Sequence, residues 1–170
     1  MNEVPEIMTP RCVLASISEE DYSALSEIFN DVQTRKFLPE IYEMIDGADG
    51  VLRFVTAFEH YLSIDQGILW GVFASGQLVG LVAIMDMLDN PSIFYAMHHS
   101  YRSRGYMKEA LACVVDFFKS NHPCSVISTE VYKSNESSLH LLTKLGFVID
   151  RENGDKIYMQ IYVANDRFAI

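Results

Sequence analysis

The chain has 170 residues, of which 49% are apolar and 21% charged, and its 23 acidic against 13 basic side chains give a formal net charge of -10 at pH 7. That apolar content excludes a disordered chain, and a chain of this length buries enough surface to hold a core without disulfides or a structural metal. The negative charge excludes a general affinity for nucleic acid or anionic lipid, so an anionic ligand has to meet a local basic patch.

Val13, Ala15 and Ile17 alternate with Leu14 and Ser16, which predicts a first strand. Ser18 followed by Glu19, Glu20 and Asp21 offers a hydroxyl cap with acids in the first turn of a helix whose face carries Tyr22, Leu25, Ile28 and Phe29. An irregular stretch is expected around Pro39 and Gly47, after which Asp49-Gly50 opens a second helix through Val51, Phe54, Val55, Phe58 and Leu62. Ile68 to Ala74 and Leu78 to Met85 read as strands joined by a tight hairpin at Ser75-Gly76-Gln77, and Ile93 to Met97 as another strand. Met107, Ala110, Leu111, Val114, Val115 and Phe118 then recur at helical spacing opposite Lys108, Glu109, Asp116 and Lys119. Ser125 to Tyr132 is again strand-like, and Leu139, Leu142 and Leu145 mark a short helix that Gly146 stops. Phe147 to Arg151 and Lys156 to Val163 close the chain as a hairpin around Asn153-Gly154.

Strand, helix, strand between residues 93 and 132 demands a parallel crossover, while the hairpins on either side are antiparallel. The expected fold class is α+β (mixed α/β): one domain over residues 1–170, a mostly antiparallel sheet with one parallel β-α-β crossover, and helices on its faces. A ligand is sought outside the carboxyl ends of the parallel strands. The longest apolar run, Leu78 to Met85, falls far short of the roughly 20 residues of a spanning helix, so no membrane partner is expected. Cys12, Cys113 and Cys124 have no metal-type spacing and read as buried free thiols, and the acidic start of the chain has no basic and apolar leader; both point to the cytoplasm.

Two segments carry chemistry. In Tyr101-Arg102-Ser103-Arg104-Gly105-Tyr106-Met107-Lys108, three cations gather where a strand turns into the periodic helix of an acidic chain. A helix start has unpaired N–H groups and a partial positive charge, and glycine lets backbone approach a phosphate; the plainer alternative is a solvated helix start. Asn135-Glu136-Ser137-Ser138, followed by Leu145-Gly146-Phe147, is a capped helix returning to a strand, and by itself needs no function.

In this order the two segments resemble the GNAT superfamily of acyl-CoA-dependent N-acyltransferases. Arg102, Gly105 and, imperfectly, Met107 match its pyrophosphate loop, and Asn135, Ser138, Gly146 and Phe147 match its later motif. Thr9-Pro10-Arg11-Cys12-Val13-Leu14, the acids Glu19 to Asp21 and Phe37-Leu38-Pro39 resemble the branch of ribosomal-protein N-terminal acetyltransferases. The resemblance implies acetyl-CoA as co-substrate and no metal. Its pantetheine arm pairs with Met97 and His98 like an added strand, and its pyrophosphate lies over Arg104, Gly105, Tyr106, Met107 and Lys108, with Arg102 and Asn135 beside it. It further implies direct attack of a primary amine (a protein N-terminus, an amino acid or a small metabolite) on the thioester, by a monomer or homodimer. The alternative is a catalytically degenerate relative that binds acyl-CoA as a sensor or interaction module.

The chain departs from its relatives at the reacting groups. Many members carry a tyrosine where this chain has Leu142, and a glutamate where it has Ser92. In the ribosomal-protein branch the motif serine, here Ser138, is the proposed proton donor, against simple capping. Candidate bases follow from location alone: His98, or an exposed loop histidine beside His99; Glu130, or an outward-facing strand residue; and Asp86. The aromatic residues Phe94, Tyr95 and Tyr132 read as core.

Overall fold

The structure, a computed structural model, describes residues 3–123 and 126–163; Cys124 and the expected strand start at Ser125 lie outside them. The described strands are β1 (Ile7–Met8), β2 (Val13–Ala15), β3 (Gly67–Ala74), β4 (Gln77–Met85), β5 (Ser92–Met97), β6 (Val126–Tyr132), β7 (Val148–Asn153) and β8 (Lys156–Tyr162). The helices are α1 (Tyr22–Asn30), α2 (Val32–Phe37), α3 (Pro39–Ile45), α4 (Gly50–Ser63), α5 (Tyr106–Asn121) and α6 (Glu136–Lys144). The strands form one sheet in the order β1-β2-β3-β4-β5-β6-β8-β7, antiparallel throughout except for β5 against β6. This is the mixed sheet with one parallel crossover that the element pattern implies.

The stretch around Pro39, expected to be irregular, holds two short helices instead. The Asp31 carboxylate caps α2 by accepting from the N–H groups of Gln33 (3.0 Å) and Thr34 (3.2 Å), and Pro39 stands in the first turn of α3, where its missing N–H costs nothing. Helices of 6 and 7 residues complete too few turns for a periodic face to show in sequence.

Each face of the sheet has its own core. Leu111, Val114 and Phe118 of α5 and Leu142 of α6 pack on Trp70, Val82, Ile93, Ile127 and Val131. On the other face, Leu25, Ile28 and Phe29 of α1 and Phe54 and Phe58 of α4 pack on Leu69, Leu81, Ala83 and Ala96. Cys12 is buried and Cys113 half-buried, both as free thiols whose pKa burial pushes up. No helix among the described residues is long and apolar enough to cross a membrane.

The feature that positions the site is where the parallel pair fails. β5 and β6 share one register pair, Ser92 with Ser128, supported by Ser128 N–H to the Pro91 carbonyl (2.8 Å) and Thr129 Oγ1 to the Ile93 carbonyl (2.8 Å). Beyond it β5 stays paired with β4 as far as Met97, and β6 stays paired with β8 as far as Tyr132. The two strands are therefore held by their outer neighbours while the space between them opens.

Candidate functional site

The rim of the opening follows from strand geometry. The His98 N–H bonds the Val79 carbonyl (2.8 Å), at a point where the β3–β4 register shifts and Val79 is the extra residue. Main-chain groups alternate sides along a strand, so those of Tyr95 and Met97 face the opening. The Met97 carbonyl accepts from Arg102 Nε (3.0 Å), which leaves the N–H groups of Tyr95 and Met97 and the Tyr95 carbonyl on that rim.

At its upper end lies the turn from β5 into α5. Ser103 (φ 60) and Gly105 (φ 83) are left-handed, and Gly105 caps the helix. Among the described residues, no carbonyl or carboxylate accepts from the N–H groups of Ser103, Arg104, Gly105, Tyr106, Met107 or Lys108. These N–H groups stand at the positive end of a helix of 16 residues. The Met107 side chain turns into the core, so a methionine there leaves its amide available.

Two arginines fasten this turn, and only one was legible in sequence. Arg102 Nη2 bonds the Asp31 carboxylate at 2.5 Å, so Arg102 points inward, while Arg104 and Lys108 stay exposed. Arg11 donates from Nε to Glu109 (2.8 Å) and from Nη1 to the Arg104 carbonyl (2.9 Å), and its guanidinium lies 4.5 Å from the centre of the Tyr106 ring. Burial pushes the Glu109 carboxyl up, but hydrogen bonds from Thr9 and Arg11 outweigh it and hold the group below its ordinary value. Arg11 and Glu109 are 98 residues apart, and no local pattern announces the pair.

On the α5–α6 face of the freed part of β5, Tyr95 and Ser138 approach each other. Asn135 Oδ1 accepts from the Ser138 N–H (3.3 Å), a capping bond that uses the serine's main chain and not its hydroxyl. The Tyr95 hydroxyl is buried without a hydrogen-bond partner among the described residues. Burial pushes its pKa up to about 12, and Ser138 is the neighbour that pulls it down. Leu142 is fully buried beneath them.

Glu130 stands beside the opening on the opposite face. Lys156 Nζ bonds Glu130 and, at 3.2 Å, Glu40; it also lies 5.0 Å from the centre of the Tyr132 ring, which contacts Phe37. Burial raises the Glu130 carboxyl, but the bonds from Lys156 and Tyr158 outweigh it and hold the group below the usual carboxylate value. His98 turns toward α1, with Nδ1 accepting from the Ser100 N–H (3.2 Å) and Nε2 at 3.3 Å from Glu27. Asp86 follows Met85, which pairs with Ser92 at the end of the sheet away from the opening.

Of the expected cofactor residues, Met97 lies on the rim and Arg104 to Lys108 at its upper end, whereas Arg102 braces the turn, Asn135 caps α6 and His98 turns toward α1. Ser138 lies on one face, Glu130 on the other and His98 off to the side.

A profile of the Acetyltransferase (GNAT) domain matches residues 11–148. The uncharacterised N-acetyltransferase YoaA of Bacillus subtilis is 28% identical over 149 residues, covering 84% of this chain and 82% of its own. RimL, a ribosomal L7/L12 α-N-protein acetyltransferase solved in complex with coenzyme A, superposes with a TM-score of 0.83 at 13% identity, covering 93% of this chain and 98% of its own. A GNAT acetyltransferase from Bacillus anthracis gives 0.78 at 18% identity, covering 94% and 99%. With the profile spanning the loop, the opening and both flanking helices, the chain belongs to the GNAT acetyltransferase family, enzymes that draw their acyl group from an acyl-CoA.

Proposed function

We propose that this chain transfers acetyl from acetyl-CoA to a primary amine, with a preference for α-amines. The observation that carries the reading is the parting of β5 from β6 directly below a row of N–H groups without partners among the described residues. A diphosphate meets the N–H groups from Arg104 to Lys108, and the pantetheine arm pairs with the rim of Tyr95 and Met97 as a strand would. The coenzyme A complex of RimL, with the same fold, supports this placement.

The amine nitrogen attacks the thioester carbon, the new C–N bond displaces the sulfur with its electron pair, and the amine proton passes to water. The amine approaches from the side of Glu130, Tyr132 and Phe37, and Glu40 and Glu130 favour a cationic acceptor. Glu130 is ion-paired and held ionised, so it attracts the ammonium better than it accepts a proton. Without a strong base, the acceptor must supply its own neutral fraction, which at pH 7 is far larger for an α-amine (pKa about 8) than for a lysine amine (about 10.4).

Thiol release from acetyl-CoA, followed with a peptide bearing a free N-terminus and with Nα-acetyl-lysine, tests this. Faster turnover of the peptide at pH 7, with the gap narrowing as pH rises, is expected. Acetyl-CoA binding with no thiol release from any amine overturns the transferase reading in favour of a binding module, and failure to bind overturns both.

A further inference from the structure

We propose that the Tyr95 hydroxyl donates the hydrogen bond that receives the departing sulfur of coenzyme A, with Ser138 orienting it from the facing helix. The proposal rests on the acetyl-transfer reading above and identifies the group at its leaving atom.

A buried hydroxyl without a partner is rare in folded proteins and calls for a reason. Tyr95 lies three residues past Ser92, the last point at which β5 pairs with β6, and so belongs to the freed part of the strand. Its ring packs with the core under α5 and α6, and its oxygen comes next to Ser138, in the first turn of the helix that follows β6. The phenol therefore reaches from one lip of the opening to the other. Leu142, one turn further along α6 and fully buried, has no proton to offer. Phe94 and Ala96, the neighbours of Tyr95 on β5, are apolar and pack on the opposite face.

The chemistry fits a donor that keeps its proton. When the C–N bond forms and the C–S bond breaks, the electron pair stays on sulfur as a thiolate, and thiols are stronger acids than phenols held up by burial, a cysteine thiol ionising at about 8.5. A phenol whose pKa burial has raised to about 12 does not ionise against it, but donates a charge-assisted hydrogen bond that is stronger than one to a neutral sulfur. Ser138 is the polar neighbour of that oxygen, and once the phenolic O–H turns to the sulfur its hydroxyl donates to Tyr95 Oη.

The test needs no acceptor. Coenzyme A bound to the full chain is titrated with pH, and its thiolate is read by ultraviolet absorbance in the wild type, Tyr95→Phe and Ser138→Ala. In Tyr95→Phe the thiol pKa is expected to rise by roughly one unit, a tenfold smaller thiolate fraction at fixed pH. The fold should be retained by circular dichroism, because phenylalanine keeps the packing of the Tyr95 ring against the core. Ser138→Ala should give a smaller rise that vanishes in the Tyr95→Phe background. A wild-type chain that binds coenzyme A with a titration unmoved by Tyr95→Phe overturns the proposal alone; a wild-type chain that does not bind it overturns the acetyl-transfer reading as well.

Discussion

Arg102 and Asp31 form an ion pair at 2.5 Å that joins the start of α2 to the segment leaving β5. Asp31 performs two tasks at once, capping α2 through the Gln33 and Thr34 N–H groups and holding the arginine whose Nε bonds the Met97 carbonyl. Burial raises its carboxyl pKa, but the Arg102 bond and the capping bonds outweigh it and lower the group below its ordinary value.

A carboxyl lowered in the folded state contributes stability above its unfolded pKa, about 3.9, and loses that contribution as pH falls through that value toward the lower folded one. Asp31→Asn keeps a capping oxygen but removes the charge. Its melting temperature should fall less steeply than that of the wild type between about pH 5 and pH 2. Asp31→Ala should lose the cap as well, about 1 kcal/mol more by denaturant unfolding.

Thr129 holds the point where β5 and β6 separate. Its hydroxyl bonds the Ile93 carbonyl at 2.8 Å inside the protein. Thr129→Val preserves shape and strand propensity but strands that carbonyl, a loss of about 1–3 kcal/mol in urea unfolding.

Gly105 is constrained twice over. Its φ of +83 is one that β-branched residues rarely adopt, and an added Cβ would lie 3.1 Å from an Arg11 guanidinium nitrogen. Gly105→Val should weaken acetyl-CoA binding on the order of tenfold or more, about 1.4 kcal/mol per factor of ten by calorimetry, with the fold retained by circular dichroism. Unchanged affinity would remove the N–H groups of this turn from the binding site.

His122 stacks on Phe118 with ring centres 4.3 Å apart, and its Nε2 is buried without a hydrogen-bond partner among the described residues. Burial lowers its pKa against the pull of Asp65, so the folded state favours the neutral ring. The stability it contributes is complete above the unfolded value, about 6.5, and declines as pH falls below it. His122→Phe keeps the stacking and should flatten the fall in urea midpoint from about pH 7 to pH 5.

The sequence carried the elements whose signals are local and long. The periodicity of residues 107–118 corresponds to α5, and the alternating runs from residue 68 to 85 correspond to β3 and β4. α2, α3 and the two-residue β1 went unseen because elements so short leave no period to read. At the site, the glycine and basic residues near 105 were visible, whereas the roles of Arg11, Arg102 and Tyr95 depend on neighbours at Glu109, Asp31 and Ser138 that only the folded chain brings near. Tyr95 read as core because a tyrosine in an apolar strand has that use far more often, and a single sequence cannot show its hydroxyl left unpaired.

Arg11 and Arg102, the two guanidiniums that fasten the turn at Gly105, are already neutralised by Glu109 and Asp31. What the turn presents to an incoming anion is mainly main-chain dipoles at close range, with Arg104 and Lys108 as exposed cations beside them that pair with no carboxylate among the described residues. Dissolved ions weaken attractions that act across about 8 Å or more at physiological ionic strength, but they intrude little between a phosphate oxygen and an N–H that touches it. This enzyme should accordingly hold its nucleotide nearly as well in brine as in dilute buffer.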